Sequence, residues 1–348
     1  MEPLFKVPIR NLFCLLSYMN EMPELVKSFN DIDEDLITYD FIVKQFLNEV
    51  ESIRRRGFVK DYVNFTEETS HLGGRLMMTD SMSYIVARQP IVICEKDQYS
   101  ANIMLNQVMK STLTTICFNR FVKEETRKLS YSYLELLPEV DSPPLTKEAF
   151  LKIYFGRHNL HYKRMVHIAR ILHELTILSH KHGNWSLFSA EIDESSLNQI
   201  FEKFLFHFYR MEQRDYRVSS EIMQWQLEGN QTHLPTMKTD VSLTHKDGNQ
   251  KIIMDAKFYK NLFQENFGKA SFHSHNLYQL FTYLMHQPKE LNLRGILIYP
   301  FNGVEVDETF HWDNRMMVEI WTLNLDDSWH DIRRKLLSLL SPFENINK

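Results

Sequence analysis

Residues 234–260 read LPTMKTDVSLTHKDGNQKIIMDAKFYK, and the run QKIIMDAKFY inside them decides how the C-terminal part of the chain folds. As a strand it places Lys251, Ile253, Asp255 and Lys257 on one face, because successive side chains point to opposite sides. An acid and a lysine on an otherwise apolar face cost desolvation energy unless something there uses them. The preceding MKTDVSLTHK reads as a second strand, with Met237, Thr239, Val241 and Leu243 on one face and Asp240 on the other, beside Lys238 and Ser242. Asp247-Gly248 between the two is a hairpin signal. Closing that hairpin brings Asp240 towards Asp255 and Lys257.

The flanking segments extend this into an α/β core. SSLNQIFEKFLFHFYRM is an amphipathic helix with Leu197, Ile200, Phe201, Phe204 and Phe208 inward, and EIMQWQL reads as a strand. After the hairpin come the helix SHNLYQLFTYLMHQ, the strands RGILIYP and MVEIWTLNL, and a closing helix SWHDIRRKLLSLL. The order α-β-β-β-α-β-β-α predicts a mixed sheet flanked by helices.

The N-terminal part has a different grammar. Ile9, Leu12, Phe13 and Leu16 recur at helical spacing, and FIVKQFLNEVESIRRRG is a second helix stopped by Gly57. FVKDYVNFTEET, GGRLMMTDSM and PIVICEK then read as strands, giving an α+β region rich in β-hairpins or barrel-like. A long helix is expected over 100–129, capped by Ser100. Pro138, Pro143 and Pro144 are the strongest internal punctuation, so the expected domains are 1–144, a basic helical connector 145–185, and 186–348. In that connector Lys152, Arg157, Lys163, Arg164, Arg170 and Lys181 face few acids. A solvated helix face and a phosphate-tracking face both fit them.

Composition narrows the class. At 348 residues, 43% hydrophobic and 24% charged, the chain suits a globular protein with two sizeable cores. It has no apolar run long enough for a membrane span. Its first residues, broken by Pro8, Arg10 and Asn11, lack the features of a signal peptide, and the isolated Cys14, Cys94 and Cys117 suit a reducing cytoplasm. A net charge of −5 disfavours a protein that grips nucleic acid unaided. His158, His161, His167, His173, His180 and His182 form no H-E-x-x-H and read as helix-surface and groove residues.

The central constellation carries chemistry. Two carboxylates held together repel unless a cation lies between them, and a divalent metal with retained waters suits such a pair. A lysine beside that site can orient a nucleophile and offset phosphate charge, as phosphodiester hydrolysis requires. The same residues also suit a structural ion pair near a sheet edge. Gln279 and Tyr283, one helical turn apart, and Glu202 in the preceding helix are supporting candidates. For Glu202 the competing reading is an exposed helix residue paired with a lysine.

LPTMKTD…IIMDAKFYK followed by FHSHNLYQLFTYL resembles the PD-(D/E)xK nuclease core of the McrC family, the nuclease subunit of McrBC-type restriction systems. VPIRNLFCLLSY, RRGFVKDY, the GGR hairpin and ILIYP resemble the same family in the same order. The resemblance implies an endonuclease using Mg²⁺ on double-stranded DNA. Asp240, Asp255 and Lys257 would be catalytic, the two aspartates would hold the metal, and Gln279 and Tyr283 would form the accompanying Q-x-x-x-Y. It also implies an N-terminal domain that docks on an AAA+ McrB-like GTPase hexamer, with Arg75 a candidate contact and GTP bound by that partner alone. The chain itself carries no G-x-x-x-x-G-K-[ST]. A departure is that Pro235 precedes Asp240 by five positions rather than one. A silent activator subunit and a stand-alone repair nuclease are the rival readings.

Overall fold

The computed structural model describes residues 4–28, 32–182, 189–225, 227–230, 232–257, 262–266, 269–301 and 303–341. Two compact units divide the chain, Met1–Thr38 with Ile177–Lys348, and Tyr39–Thr176. The first unit opens with β1 (Leu4–Pro8), α1 (Ile9–Met19) and α2 (Pro23–Lys27).

The second unit holds α3 (Tyr39–Arg56), β2 (Asp61–Thr69), β3 (Arg75–Leu76), α4 (Met78–Val86) and β4 (Val92–Ser100). It continues through α5 (Met104–Phe118), α6 (Glu124–Leu134) and α7 (Lys147–Leu151), and α8 (Lys163–His182) begins in it. Its strands form one antiparallel sheet in the order β2-β4-β3, and among the described residues there is no closed barrel. The expected strands over 61–69 and 92–100 are present and paired, and α4 replaces strand in the second half of GGRLMMTDSM.

Two departures from expectation have local reasons. GGRLMMTDSM yields only a two-residue strand, because the buried Ser81 hydroxyl donates to the Met77 carbonyl and accepts from the Ile93 amide, holding the chain helical from Met78. The long helix over 100–129 is two helices, and Ser100 ends β4 instead of capping. The break falls where the Asn119 side chain accepts from the Phe121 amide and the buried Asp40 accepts from the Lys123 amide.

The first unit resumes with β5 (Ser189–Asp193), α9 (Glu194–Glu212), β6 (Tyr216–Ser219), β7 (Ile222–Met223), β8 (Met237–Lys238), β9 (Val241–His245) and β10 (Gln250–Ala256). It ends with β11 (Phe263–Asn266), β12 (Lys269–Phe272), α10 (Ser274–Met285), β13 (Asn292–Pro300), β14 (Asp307–His311), β15 (Met316–Leu323) and α11 (Trp329–Ser338). Six strands form the central mixed sheet, in the order β14-β15-β13-β10-β9-β6. β10, β13 and β15 run parallel, and both β10 and β13 are buried along nearly their whole length, as parallel strands covered on both faces require.

Helix α9 starts on an Asp193 cap that accepts from the Ser196 amide. It buries Phe201, Phe204 and Phe208 completely, a gross gain of roughly 1.5–3 kcal/mol for each ring. Helix α10 packs Leu280 and Leu284 on Ile253, Leu297 and Ile320. It approaches closely because Gly295 has no side chain: a Cβ there would lie 2.7 Å from Leu284 and 3.0 Å from Leu280.

The division of the chain differs from the expected one. The first 38 residues join the C-terminal part because β1 pairs antiparallel with β5 and the buried Asn11 amide donates to the Leu325 and Asp327 carbonyls. Residues 145–176 belong to the second unit, where the buried Tyr162 hydroxyl donates to Asn106 and accepts from the Val59 amide. Among the described residues no helix is long and apolar enough to cross a membrane.

Candidate active site at the open end of a hairpin

The β9–β10 hairpin turns at Gly248, whose φ of +75° is the left-handed conformation that glycine adopts freely. Its register pairs Lys251 with Thr244 and Met254 with Val241. Continued by one residue, that register sets Asp255 opposite Asp240, where the pairing stops. It stops because the chain before Asp240 is held elsewhere. The Thr239 amide donates to the Glu221 carbonyl, the Thr239 hydroxyl accepts from the Glu221 amide, and the Ser220 hydroxyl donates to the Thr239 carbonyl. The single strand expected over MKTDVSLTHK is thus two, and β8 pairs with β7 in a separate sheet. EIMQWQL contributes only the short β7, and the strand of the main sheet is the preceding β6.

Lys257 follows β10 and closes the last rung to β13 through its amide, 2.9 Å from the Ile298 carbonyl. Its ammonium lies 3.1 Å from Asp255 Oδ1 and 3.9 Å from Asp240 Oδ2. The Asp255 side chain is 1% exposed, and Asp240 and Lys257 are largely covered. Lys257 is the cation that meets Asp255 Oδ1, and among the described residues no backbone amide or hydroxyl donates to either Asp255 oxygen or to Asp240 Oδ2. Burial pushes the Asp255 carboxyl well above the usual range; the Lys257 charge opposes this and Asp240 adds to it. Burial disfavours the Lys257 ammonium, yet Asp255 and then Asp240 outweigh it and hold its proton more firmly than usual. The continuation Phe258–Lys260 lies outside the described residues.

Tyr283 donates to the Lys238 carbonyl at 2.9 Å and accepts from Gln279 Nε2 at 2.8 Å. The pair thus anchors the backbone two residues before Asp240. Glu202 is half-buried and accepts from Asn198; burial and the nearby Asp240 raise its carboxyl above the usual range, against Lys257 and Asn198. Among the described residues no three His, Cys, Asp or Glu side chains gather into a metal-holding group, so Glu202 is not brought in as a third ligand. Two facing carboxylates remain, with Lys257 as their shared cation. This donor set fits a hard divalent cation that keeps several waters, such as Mg²⁺. A cavity of about 470 Å³ lined by Arg10, Cys14, Tyr18, Trp329 and Arg333 lies elsewhere in the unit, and none of the candidate residues lines it.

Residues 8–300, which include every candidate named above, match the sequence profile of the McrBC 5-methylcytosine restriction system component family. The chain belongs to that family. It is similar to the type IV methyl-directed restriction enzyme EcoKMcrBC of Escherichia coli K12, 25% identical over 344 residues that span 97% of this chain and 98% of the relative. Among solved structures, a Thermococcus gammatolerans assembly of McrB AAA+ hexamers with bound McrC aligns over 94% of this chain and 76% of that one, with a TM-score of 0.49 and 15% identity. A second structure, the McrBC complex of the same organism, aligns over 60% of this chain and 59% of that one, with a TM-score of 0.34 and 17% identity.

Other expected residues of this McrBC-family chain fall in its second unit. Arg75 is exposed and faces Glu95 across the β3–β4 pair, 3.6 Å away. The rings of His161, His167 and His173 pack on Tyr162, Phe155 and Phe150. The side chains of His180, Lys181 and His182 lie outside the described residues. Sequence reasoning missed Thr239 and Ser242, two fully buried hydroxyls 2.9 Å apart that flank Asp240. Their only signal was polar residues on a buried strand. It also missed Glu221, whose carboxylate meets the buried Lys251 ammonium at 2.5 Å.

Proposed function

We propose that this chain is the DNA-cleaving subunit of an NTP-dependent restriction system, with a PD-(D/E)xK core in its first unit. The observation that carries this reading is Asp255. It is sealed from water, it faces Asp240 and Lys257, and among the described residues no backbone amide or hydroxyl donates to its oxygens. Asp240 and Asp255 would hold the divalent cation through their carboxylate oxygens. Bound there, the ion supplies charge to the scissile phosphate and acidity to water. The Lys257 ammonium adds positive charge where the phosphate oxygens gain negative charge. Tyr283 and Gln279 fix the Lys238 carbonyl and with it the direction in which Asp240 leaves the sheet.

The second unit engages an AAA+ McrB-like GTPase hexamer, stimulates its GTP hydrolysis and receives from it the double-stranded DNA that the partner has selected. Family membership and the lack of a P-loop in this chain support that division. So does α4, where Met78, Met82, Ile85 and Val86 are exposed and only Ser81 is buried. Exposed apolar patches of this kind mark protein interfaces. The test is a double dissociation with Mg²⁺, GTP, partner and DNA. Asp240→Ala abolishes cutting and keeps GTPase stimulation, whereas Met82→Asp with Val86→Asp abolishes stimulation. Loss of both activities in a folded Asp240→Ala protein contradicts the separation.

A further inference from the structure

The second unit carries a cationic face that the reading above leaves unused. Helix α3 ends in Arg54-Arg55-Arg56, and between Ala149 and His173 the chain has no Asp or Glu. The structure brings these stretches together. The Tyr162 hydroxyl accepts from the Val59 amide at 3.0 Å, and Arg164 meets Glu49 of α3 at 3.0 Å. Burial, then the nearby Arg56 and His158, hold the His161 imidazole below its usual range.

Neutralisation within the unit is incomplete. Arg54 and Arg55 are taken by Glu51, and Arg164 by Glu49. Arg56, Lys60, Arg157, His158 and Lys163 are all exposed, and among the described residues none of them forms an ion pair. The loop that presents Arg157 and His158 is built rather than loose. Asn159, 6% exposed, accepts from the Gly156 amide at 2.7 Å and donates to the Tyr154 carbonyl at 3.1 Å. Phe155 stacks on His167, while the neighbouring Tyr154 is 84% exposed.

We infer that Arg56, Lys60, Arg157 and Lys163, with the exposed Tyr154 and His158 of the same unit, form a surface that binds the phosphate backbone of duplex DNA. Cations without acids, on fixed backbone and with an exposed aromatic ring, suit a polyanion with regularly spaced charges. An acidic protein surface is the competing ligand. The observations favour DNA because the segment between Ala149 and His173 carries cations and no acid, whereas α4 exposes four apolar side chains in nine residues.

The test measures binding and not cutting, so it stands or falls independently of Asp240 and Asp255. The full chain is titrated onto a labelled duplex oligonucleotide in EDTA over a series of NaCl concentrations. R56Q/R157Q/K163Q is compared with K128Q/K289Q/R334Q, which removes the same charge elsewhere, after thermal melts have shown both folded. Each lost phosphate contact lowers the slope of log Kd against log [NaCl] by about 0.9, so the first variant is expected to lose roughly 2–3 from the slope and the second to keep it. Equal slopes in the two variants overturn the inference. So does a first variant that binds DNA normally but no longer stimulates the AAA+ partner, since the face then belongs to a protein.

Discussion

Glu212 and Asp255 are both buried carboxylates of the first unit that face a cation, yet the fold treats them oppositely. Glu212 accepts from the Tyr18 hydroxyl at 2.6 Å and from Arg333 through two nitrogens at 2.9 and 2.5 Å. Burial pushes its carboxyl up, but those bonds and the Arg333 and Lys27 charges outweigh it and leave it below the usual range. Glu319 is satisfied in the same way by Arg294, at 2.7 and 2.9 Å, and by the Trp321 indole. Asp255 has a single cation, Lys257, beside it and a second carboxylate opposite it, and among the described residues no hydroxyl, indole or backbone amide donates to its oxygens. Leaving a buried charged group unsatisfied costs on the order of 1–3 kcal/mol or more. A unit that bonds two buried glutamates fully has the means to bond this aspartate too. This contrast supports the proposal that Asp255 holds a ligand.

Removing each carboxylate's charge sharpens the contrast most. Glu212→Gln takes the buried acceptor from Tyr18 and from the partly exposed Arg333 and is expected to cost about 2 kcal/mol of stability in denaturant melts. Asp255→Asn, measured free of metal, relieves repulsion with Asp240 and is expected to raise stability by roughly 1 kcal/mol. Comparable destabilisation by both substitutions breaks the comparison. Next in size, Tyr283→Phe frees the Lys238 carbonyl and lets Asp240 drift; cutting in the assembled system is expected to fall by about tenfold, with GTP hydrolysis unchanged. A Tyr283→Phe protein that cuts at the wild-type rate denies the tyrosine its positioning role.

The smallest effect is a pH dependence. The folded Glu212 carboxyl lies below its unfolded value of about 4.3, so its stabilising contribution is complete above that pH and is lost as pH falls through the folded value. The melting-temperature gap between wild type and Glu212→Gln should therefore be wide at neutral pH and close below about pH 4. A gap that widens on acidification would reverse the sign assigned to Glu212.

What was legible in the sequence is local, and what was not depends on distant partners. Asp247-Gly248 gave the turn, the alternation in QKIIMDA gave the faces, and the phenylalanine stripe of α9 gave its inward side. Together these place Asp240, Asp255 and Lys257 in one cluster. The break at Thr239 was hidden because it is made by Ser220 and Glu221, far away in the chain. Strand β1 was hidden because its partner β5 is about half the chain away. The division of the long helix needed the Asp40 carboxylate, and the early turn into α4 needed the Ile93 amide. Gln279 and Tyr283 were legible as a pair, but their target, the Lys238 carbonyl, came from the fold alone.

The most direct measurement pairs wild type with Asp255→Ala in the presence of an AAA+ partner, GTP, Mg²⁺ and duplex DNA, following cleavage and GTP hydrolysis together. The account predicts that wild type cuts only in the full mixture, and that EDTA stops the cutting. Asp255→Ala should cut about 10³-fold more slowly or not at all while accelerating GTP hydrolysis as wild type does. If neither protein cuts and both accelerate the GTPase, the chain is an activator, and Asp255 and Lys257 are a structural pair.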